Sequence, residues 1–270
     1  MEQKEIVIDN KKVFYRLIGE GPVVVFLHGF GEDGNIWKQQ WKAIKGYRLI
    51  VPDLPGSGES EMINDMSMEG LAACVQTILV AESVTNCIMI GHSMGGYITL
   101  AFAAKFASML NGFGLVHSTS YSDSEEKKDT RRKGIDFIAE HGPVAFLKTA
   151  IPNLYGAVTK EKNPALIDEH VQSAQSFSKA ALTAYYQSMI NRPDRTSVLN
   201  KTHLHVLFIL GKHDTTIPLQ DGLKQSHLPL WSYVHILEES GHMGMVEEPE
   251  KINSFITSYI SSTYSPSENT

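Results

Sequence analysis

The chain has 270 residues, of which 42% are hydrophobic and 20% charged, and this composition fits a folded globular protein better than a disordered or fibrous one. Lysine and arginine together number 24 and aspartate and glutamate 30, which gives a formal net charge of −6 without any dense basic patch. This balance argues against nucleic acid as a partner and gives little support for electrostatic binding to a membrane. We therefore expect a small molecule as the partner, while the oligomeric state stays open.

Targeting signals and disulfides are not expected either. The polar segment Met1 to Glu5 lacks the apolar core of a signal peptide, and apolar runs such as Val23–Leu27 are far shorter than the ~20 residues of a transmembrane helix. Two cysteines, Cys74 and Cys87, are too few for a disulfide framework and are expected to be reduced core thiols. The sequence thus predicts a cytoplasmic protein.

Short apolar strands alternate with helical patterns along most of the chain. The predicted strands cover 6–8, 13–18, 23–27, 48–51, 87–90, 113–116, 206–210 and 233–237. The predicted helices cover 37–44, 68–79, 97–106 and a last segment that begins at Pro249. Such apolar strands alternating with helices predict an α/β fold, with a mostly parallel sheet covered by helices on both faces.

The stretch 118–195 interrupts this alternation because it contains no convincing buried strand. Helical patterns fill it instead, over 131–140, 143–151, 164–176 and 178–190. Since the sheet resumes afterwards, we interpret this stretch as a helical insertion between two strands of one sheet. The predicted core domain therefore consists of 1–117 and 196–270.

The pentapeptide GHSMG at 91–95 matches the pattern G-x-S-x-G between a short buried strand and a strong helix. A serine in this context lies on a tight turn called the nucleophile elbow, with its hydroxyl at the carboxyl edge of the sheet. The N-terminus of the following helix favours the negative charge that develops there. We predict Ser93 as a nucleophile; the alternative is a glycine-rich turn with an idle serine.

A serine hydroxyl needs a base, and the base needs a carboxylate to orient it. His92 is excluded as the base because adjacent side chains on a sharp turn diverge. His242 follows the last predicted strand and Asp214 follows the strand before it, at the edge where such sheets hold their active groups. The chain order Ser93, Asp214, His242 matches one catalytic architecture; alone, Asp214 would be interpreted as a turn or capping residue.

An oxyanion site would complete this set. The backbone amide of Met94 follows the nucleophile, and the glycine-flanked amide of Phe30 belongs to a loop after an earlier strand. Loss of one such donor typically slows a reaction ~100–1,000-fold. We expect His28 to brace the loop that carries Phe30.

Five segments in this order resemble enzymes of the α/β-hydrolase fold, in the branch with a serine nucleophile. They are HGFG at 28–31, DLPGSGES at 53–60, GHSMGG at 91–96, GKHDTTIP at 211–218 and SGHMGMVEEP at 240–249. The resemblance covers nearly the whole chain. It implies an eight-stranded, mostly parallel sheet and identifies 118–195 as a helical cap over the active site.

The expected function is that of a serine hydrolase, foremost a carboxylic-ester hydrolase for a small to medium, largely uncharged substrate. The same triad could act on a C–C bond, a thioester or an amide, or form a peracid, and a ligand receptor that keeps a slow triad is the alternative of another class. The mechanism needs no cofactor, and no metal is expected because His203 and His205 lack a nearby third ligand. Trp37, Tyr155 and Met243 are candidates for the substrate pocket.

Overall fold

The structure is a computed structural model that describes residues 1–264; residues 265–270 of the predicted core domain lie outside the described residues. All eight predicted strands are present, most of them longer than predicted. They are β1 (Glu2–Ile8), β2 (Lys11–Ile18), β3 (Val23–Leu27), β4 (Arg48–Pro52), β5 (Cys87–His92), β6 (Leu110–Val116), β7 (His205–Gly211) and β8 (Trp231–Leu237).

These strands form one sheet in the order β1-β2-β4-β3-β5-β6-β7-β8. The pairs β1/β2 and β2/β4 are antiparallel, and every other neighbouring pair is parallel. The central strand β5 is buried along its whole length because helices cover both faces of the sheet. The prediction of an eight-stranded, mostly parallel sheet is therefore confirmed.

Eleven α-helices lie within the described part of the chain. They are α1 (Lys38–Ala43), α2 (Met68–Ala81), α3 (Met94–Phe106), α4 (Glu125–Ala150), α5 (Ala157–Lys162), α6 (Pro164–Ser173), α7 (Lys179–Asn191), α8 (Thr196–Lys201), α9 (Leu219–Ser226), α10 (Gly244–Glu247) and α11 (Pro249–Tyr264). Helix α2 begins as predicted, because the Ser67 hydroxyl accepts a hydrogen bond from the Gly70 amide at 3.0 Å. None of the described helices is long and apolar enough to span a membrane.

The stretch between β6 and β7 is helical and contains α4 to α8, of which α8 follows the predicted insertion 118–195. Its first two predicted helices form one run, α4, which Gly142 interrupts with a φ of +83° before Pro143. Helix α7 is anchored on the sheet domain by the buried Tyr185 hydroxyl, which donates to the Pro55 carbonyl at 2.6 Å and pairs with the Ser57 hydroxyl at 2.8 Å. These buried bonds hold the helical insertion against the loop that follows β4.

Candidate active site

Parallel strands bring their carboxyl ends to the same edge of a sheet, and the predicted site residues lie at this edge. Ser93 directly follows β5, Asp214 lies in the loop after β7, and His242 lies in the loop after β8. His117, which was not among the predicted site residues, directly follows β6. Four side chains that are distant in sequence therefore converge because the sheet order places their strands side by side.

Ser93 has an unusual backbone conformation, with φ of 49° and ψ of −114°. The left-handed region is costly for a residue with a side chain, so the surroundings must hold it. Both flanking glycines are required by close backbone approach: a Cβ at Gly91 would lie 2.2 Å from the Gly95 carbonyl oxygen, and a Cβ at Gly95 would lie 2.4 Å from that of Leu27. These contacts explain the spacing of the motif without reference to chemistry.

The side chains of Ser93, His242 and Asp214 form one chain of hydrogen bonds. The distance from His242 Nε2 to Ser93 Oγ is 2.9 Å, and the distance from His242 Nδ1 to Asp214 Oδ2 is 2.8 Å. With Asp214 ionised, Nδ1 carries the proton and Nε2 presents its lone pair to the serine hydroxyl. The imidazole is thus oriented to accept the serine proton.

The Asp214 carboxylate accepts four N–H groups. Its Oδ2 faces His242 and also His117 Nδ1 at 3.2 Å, while its Oδ1 accepts the amides of Thr216 and Ile217, each at 2.8 Å. Burial alone would raise the pKa of Asp214, but the neighbouring His242 and the imidazole hydrogen bonds outweigh burial and hold this pKa below its ordinary value. The carboxylate therefore remains ionised beside the imidazole.

His117 is the second imidazole on this carboxylate. Its Nδ1 donates to Asp214 and its Nε2 accepts the Gly244 amide at 3.2 Å, a pattern that requires the neutral ring. Burial lowers the pKa of His117 to about 4 even though Asp214 acts in the opposite direction. A lone histidine after a buried strand was the available sequence signal, but nothing in the sequence distinguished it from a core residue.

His92 forms a second buried network and does not contact the Ser93 hydroxyl. Its Nδ1 donates to Glu32 at 2.9 Å and its Nε2 donates to the His242 carbonyl oxygen at 2.9 Å, while Glu32 also accepts the Gly29 amide at 2.7 Å. Burial would raise the pKa of Glu32, but the charge and hydrogen bond of His92 lower it to about 2. This ion pair links the three loops that carry Gly29, Ser93 and His242.

The two predicted oxyanion donors are the backbone amides of Phe30 and Met94. Within the described residues, neither the Phe30 amide nor the Met94 amide donates a hydrogen bond to another backbone group. His28 braces the Phe30 loop as expected: its Nε2 accepts the Leu54 amide at 2.9 Å and its Nδ1 donates to the Gly29 carbonyl at 2.8 Å. The Phe30 ring stacks on Tyr186 with a centroid distance of 4.4 Å, which joins this loop to the helical insertion.

A cavity of about 380 Å³ opens beside the Ser93 hydroxyl and His242. Its walls come from the oxyanion loop, the elbow, the helical insertion and the loop after β7. The lining residues are Phe30, Glu32, Ser93, Tyr97, Lys127, Thr130, Arg131, Leu147, Ala150, Ile151, Leu154, Tyr186, Met189, Thr215, Thr216 and His242. Most of the surface that lines the cavity is apolar, and more than half of the lining residues belong to the insertion.

The three predicted pocket residues do not line this cavity, so that prediction is corrected. Trp37 is fully buried and packs on Phe26 with a ring distance of 4.9 Å, because the helical turn that carries it faces the sheet. Tyr155 points to His170, with an oxygen-to-nitrogen distance of 3.0 Å, and lines a separate cavity. Met243 directly follows His242 and is fully buried.

The helical insertion also holds the loop that carries His242. The His242 amide donates to the Leu154 carbonyl at 2.7 Å. The partly buried Glu247 carboxylate accepts the Gly156 amide of the insertion at 2.7 Å and, at 2.9 Å, the amide of Gly241 in the loop that carries His242. The position of the base therefore depends on the insertion as well as on the sheet.

One group within residues 1–264 brings metal-ligand atoms together: His117, Asp214 and His242 have ligand atoms within 4.8 Å of one another. The nitrogens that face Asp214 belong to the hydrogen-bonded chain described above, and N–H donation to a carboxylate accounts for their closeness. A metal there would have to displace the proton that orients His242.

Comparison with known proteins gives a consistent result. The sequence profile described as "Alpha/beta hydrolase family" matches residues 24–255. The 3-oxoadipate enol-lactonase 1 of Acinetobacter baylyi is 23% identical over 248 residues, with 89% of each chain covered. The 2-hydroxy-6-oxo-6-phenylhexa-2,4-dienoate hydrolase of Comamonas testosteroni is 24% identical, with 89% of this chain and 88% of that one covered. The solved structure of a thermophilic esterase from Thermogutta terrifontis is 27% identical and superposes with a TM-score of 0.91 over 97% of this chain and 99% of that chain. The chain therefore belongs to the alpha/beta hydrolase family.

Proposed function

We propose that this protein is a serine hydrolase that acts by acyl transfer through a covalent intermediate on Ser93. One observation carries the proposal: the strained elbow presents the Ser93 hydroxyl 2.9 Å from an imidazole that a buried carboxylate orients. As part of the proposal, residues 1–117 and 196–270 form the core domain and 118–195 form the cap.

The geometry supports the following reaction. Ser93 Oγ attacks the carbonyl carbon of the bound ester while His242 Nε2 takes its proton, and Asp214 stabilises the resulting imidazolium. The amides of Phe30 and Met94 bind the oxyanion of the tetrahedral intermediate. His242 then gives the proton to the departing alcohol. A water molecule, activated by the same imidazole, releases the acid and regenerates the serine hydroxyl.

A carboxylic-ester hydrolase is the favoured reaction class. The Thermogutta terrifontis protein is named an esterase, and the Acinetobacter baylyi protein is named a lactonase, which also opens an ester bond. The name of the Comamonas testosteroni relative, a dienoate hydrolase, favours hydrolysis of a C–C bond as the second candidate. The size and apolar walls of the cavity suit a small to medium substrate whose reacting part is uncharged.

A panel of 4-nitrophenyl esters of increasing acyl length tests this function. We expect steady turnover by the wild type and a loss of ~1,000-fold or more in kcat for Ser93→Ala. Ser226→Ala is the matched control, because its hydroxyl bonds only within α9, to the Leu223 carbonyl. Undiminished turnover in Ser93→Ala would refute the mechanism.

The time course of this assay and one additional substrate, a vinylogous diketone, separate the remaining alternatives. A single turnover followed by a stable adduct would favour a ligand receptor with a slow triad. A vinylogous diketone that is cleaved faster than any ester would favour the C–C hydrolase. A cytoplasmic location completes the proposal, and cell fractionation checks it.

A further inference from the structure

The lining of the active-site cavity combines apolar and cationic side chains. Leu147, Ile151 and Met189 line it together with Ser93 and His242. Where the start of α4 meets the loop after β7, Lys127 contacts Thr216, and both residues line the cavity. Lys127 and Arg131, one helical turn apart on α4, both line the cavity there.

Lys127 pairs with a carbonyl oxygen of the loop after β7. Its Nζ donates to the Thr216 carbonyl oxygen at 2.8 Å, and within residues 1–264 no carboxylate oxygen lies within 4.0 Å of it. The side chain is partly buried, so its charge is less well screened than that of a fully exposed lysine. This hydrogen bond fixes the ammonium at the cavity wall and leaves two of its three N–H groups for a ligand.

Arg131 adds to the positive charge because it shares its partner. Its guanidinium pairs with the buried Asp123 at 2.6 Å, and Arg192 pairs with the same carboxylate at 2.9 Å. One carboxylate thus serves two guanidinium groups. Together with Lys127, the cluster leaves two positive charges without a carboxylate of their own.

We propose that Lys127 and Arg131 form a carboxylate-binding subsite, and that the substrate is an ester with a carboxylate at the end remote from the reacting carbonyl. The proposal rests on the serine-hydrolase function proposed above and names its substrate class. The apolar lining receives the uncharged middle of the substrate, while Lys127 and Arg131 receive a single negative charge. A fixed ammonium inside a partly enclosed cavity favours a charge-assisted hydrogen bond to such a group.

Matched ester pairs test the subsite. On the acyl side, mono-4-nitrophenyl adipate is compared with 4-nitrophenyl hexanoate, which carries a methyl group in place of the carboxylate. On the alcohol side, 4-acetoxybenzoate is compared with its methyl ester. For at least one pair, we expect Lys127→Met to lower the ratio of kcat/KM for the anionic ester over the neutral one by ~10-fold or more.

Two further variants make the result specific. Lys127→Arg keeps the positive charge and should retain most of the ratio, which separates loss of charge from damage to the fold. Lys128→Met is the matched control: the next lysine on α4 pairs with Glu125 at 2.7 Å outside the cavity, and its loss should leave the ratio unchanged. High salt should also reduce the wild-type preference for the anionic ester.

The outcomes distinguish this proposal from the proposed function. Hydrolysis of the neutral esters that requires Ser93, with a ratio that Lys127→Met leaves unchanged in both pairs, would overturn the subsite alone. Failure to hydrolyse any ester of either pair would overturn the proposed function and the subsite with it. An equal fall of the ratio in Lys127→Met and Lys128→Met would also overturn the subsite, because it would show a general field effect.

Discussion

Replacement of Asp214 by asparagine is the sharpest perturbation of the site, because it keeps the shape of the side chain and changes only its charge and bonding. Four N–H donors surround the carboxylate: the imidazoles of His242 and His117 face Oδ2, and the amides of Thr216 and Ile217 face Oδ1. An amide side chain has one oxygen and one NH₂ group. One of the two donor pairs must therefore face the new NH₂ group.

Only the His242 imidazole can adapt, since a backbone amide cannot release its proton and His117 Nε2 already accepts the Gly244 amide. The asparagine oxygen should thus accept the two backbone amides and turn its NH₂ group toward His242 Nδ1. That nitrogen must then present a lone pair, which moves the imidazole proton to Nε2, the atom 2.9 Å from Ser93 Oγ. The base would hold the wrong tautomer, and a change of this kind costs about 10,000-fold in kcat, equal to about 5 kcal/mol of transition-state stabilisation.

The assay compares kcat for 4-nitrophenyl butyrate between the wild type, Asp214→Asn and the control Asp221→Asn. Asp221 lies in the first turn of α9, where its loss removes a weak ion pair with Lys224 at 3.7 Å. Circular dichroism should show that both variants are folded. If Asp214→Asn kept its kcat within tenfold of the wild type, the tautomer reasoning would be refuted.

Three further changes test other parts of the site and the cap. The pKa of buried His117 is lowered to about 4, so between about pH 6.5 and pH 4 the unfolded chain binds a proton at this residue that the folded chain does not. The contribution of the neutral ring to the free energy of unfolding is therefore fully present above about pH 6.5 and is lost as the pH falls toward 4, by up to about 3 kcal/mol. Urea unfolding should therefore show a smaller loss between pH 7 and pH 5 for His117→Asn than for the wild type, and equal losses would contradict this. Tyr185→Phe leaves the Ser57 hydroxyl and a buried carbonyl without their partner and should cost about 1–3 kcal/mol, visible in calorimetry as a lower Tm with little change in KM. Glu247→Gln places an NH₂ group opposite N–H donors, so the hydrogen bonds that join the loop of His242 to the helical insertion are weakened and kcat should fall ~10-fold. An unchanged kcat would show that these hydrogen bonds are dispensable.

Much of the fold could be predicted from local patterns, because the signals that carry it are short in range. Strand β5 is buried throughout and begins with four apolar residues, Cys87–Ile90, and a Cβ at Gly91 or Gly95 would collide with the neighbouring backbone. Three predicted side chains, Ser93, Asp214 and His242, lie together because each follows a parallel strand, and strand order alone places such loops at one edge. The strand order is therefore enough to predict that these three side chains lie together, and side-chain packing is not needed for that prediction.

The pocket lining could not be predicted in this way, because it depends on how an inserted helix turns against the sheet. Tyr155 is an aromatic residue of the kind that often lines a pocket, yet its hydroxyl contacts His170. Nothing in the sequence near position 155 predicts the direction of this side chain. The role of His92 was likewise hidden. Its exclusion as a base agrees with the structure, but its partner Glu32 lies 60 residues earlier in the chain. Pairs of residues so far apart in the chain produce no periodic pattern in the sequence from which their contact could be predicted.

The buried pair of Glu32 and His92 shows how such long-range contacts hold the loops around the nucleophile together. A residue with a side chain holds the left-handed conformation of Ser93 only if the surroundings over-determine it. Through Glu32, the pair binds the Gly29 amide of the oxyanion loop, and through His92 it binds the carbonyl of His242 itself. Removal of His92 would leave the buried Glu32 carboxylate without its imidazole partner, and loss of one partner of a buried pair typically costs about 3–5 kcal/mol. The pair therefore connects the oxyanion loop and the loop of the base through His92, the residue that directly precedes the nucleophile, without contact to the Ser93 hydroxyl.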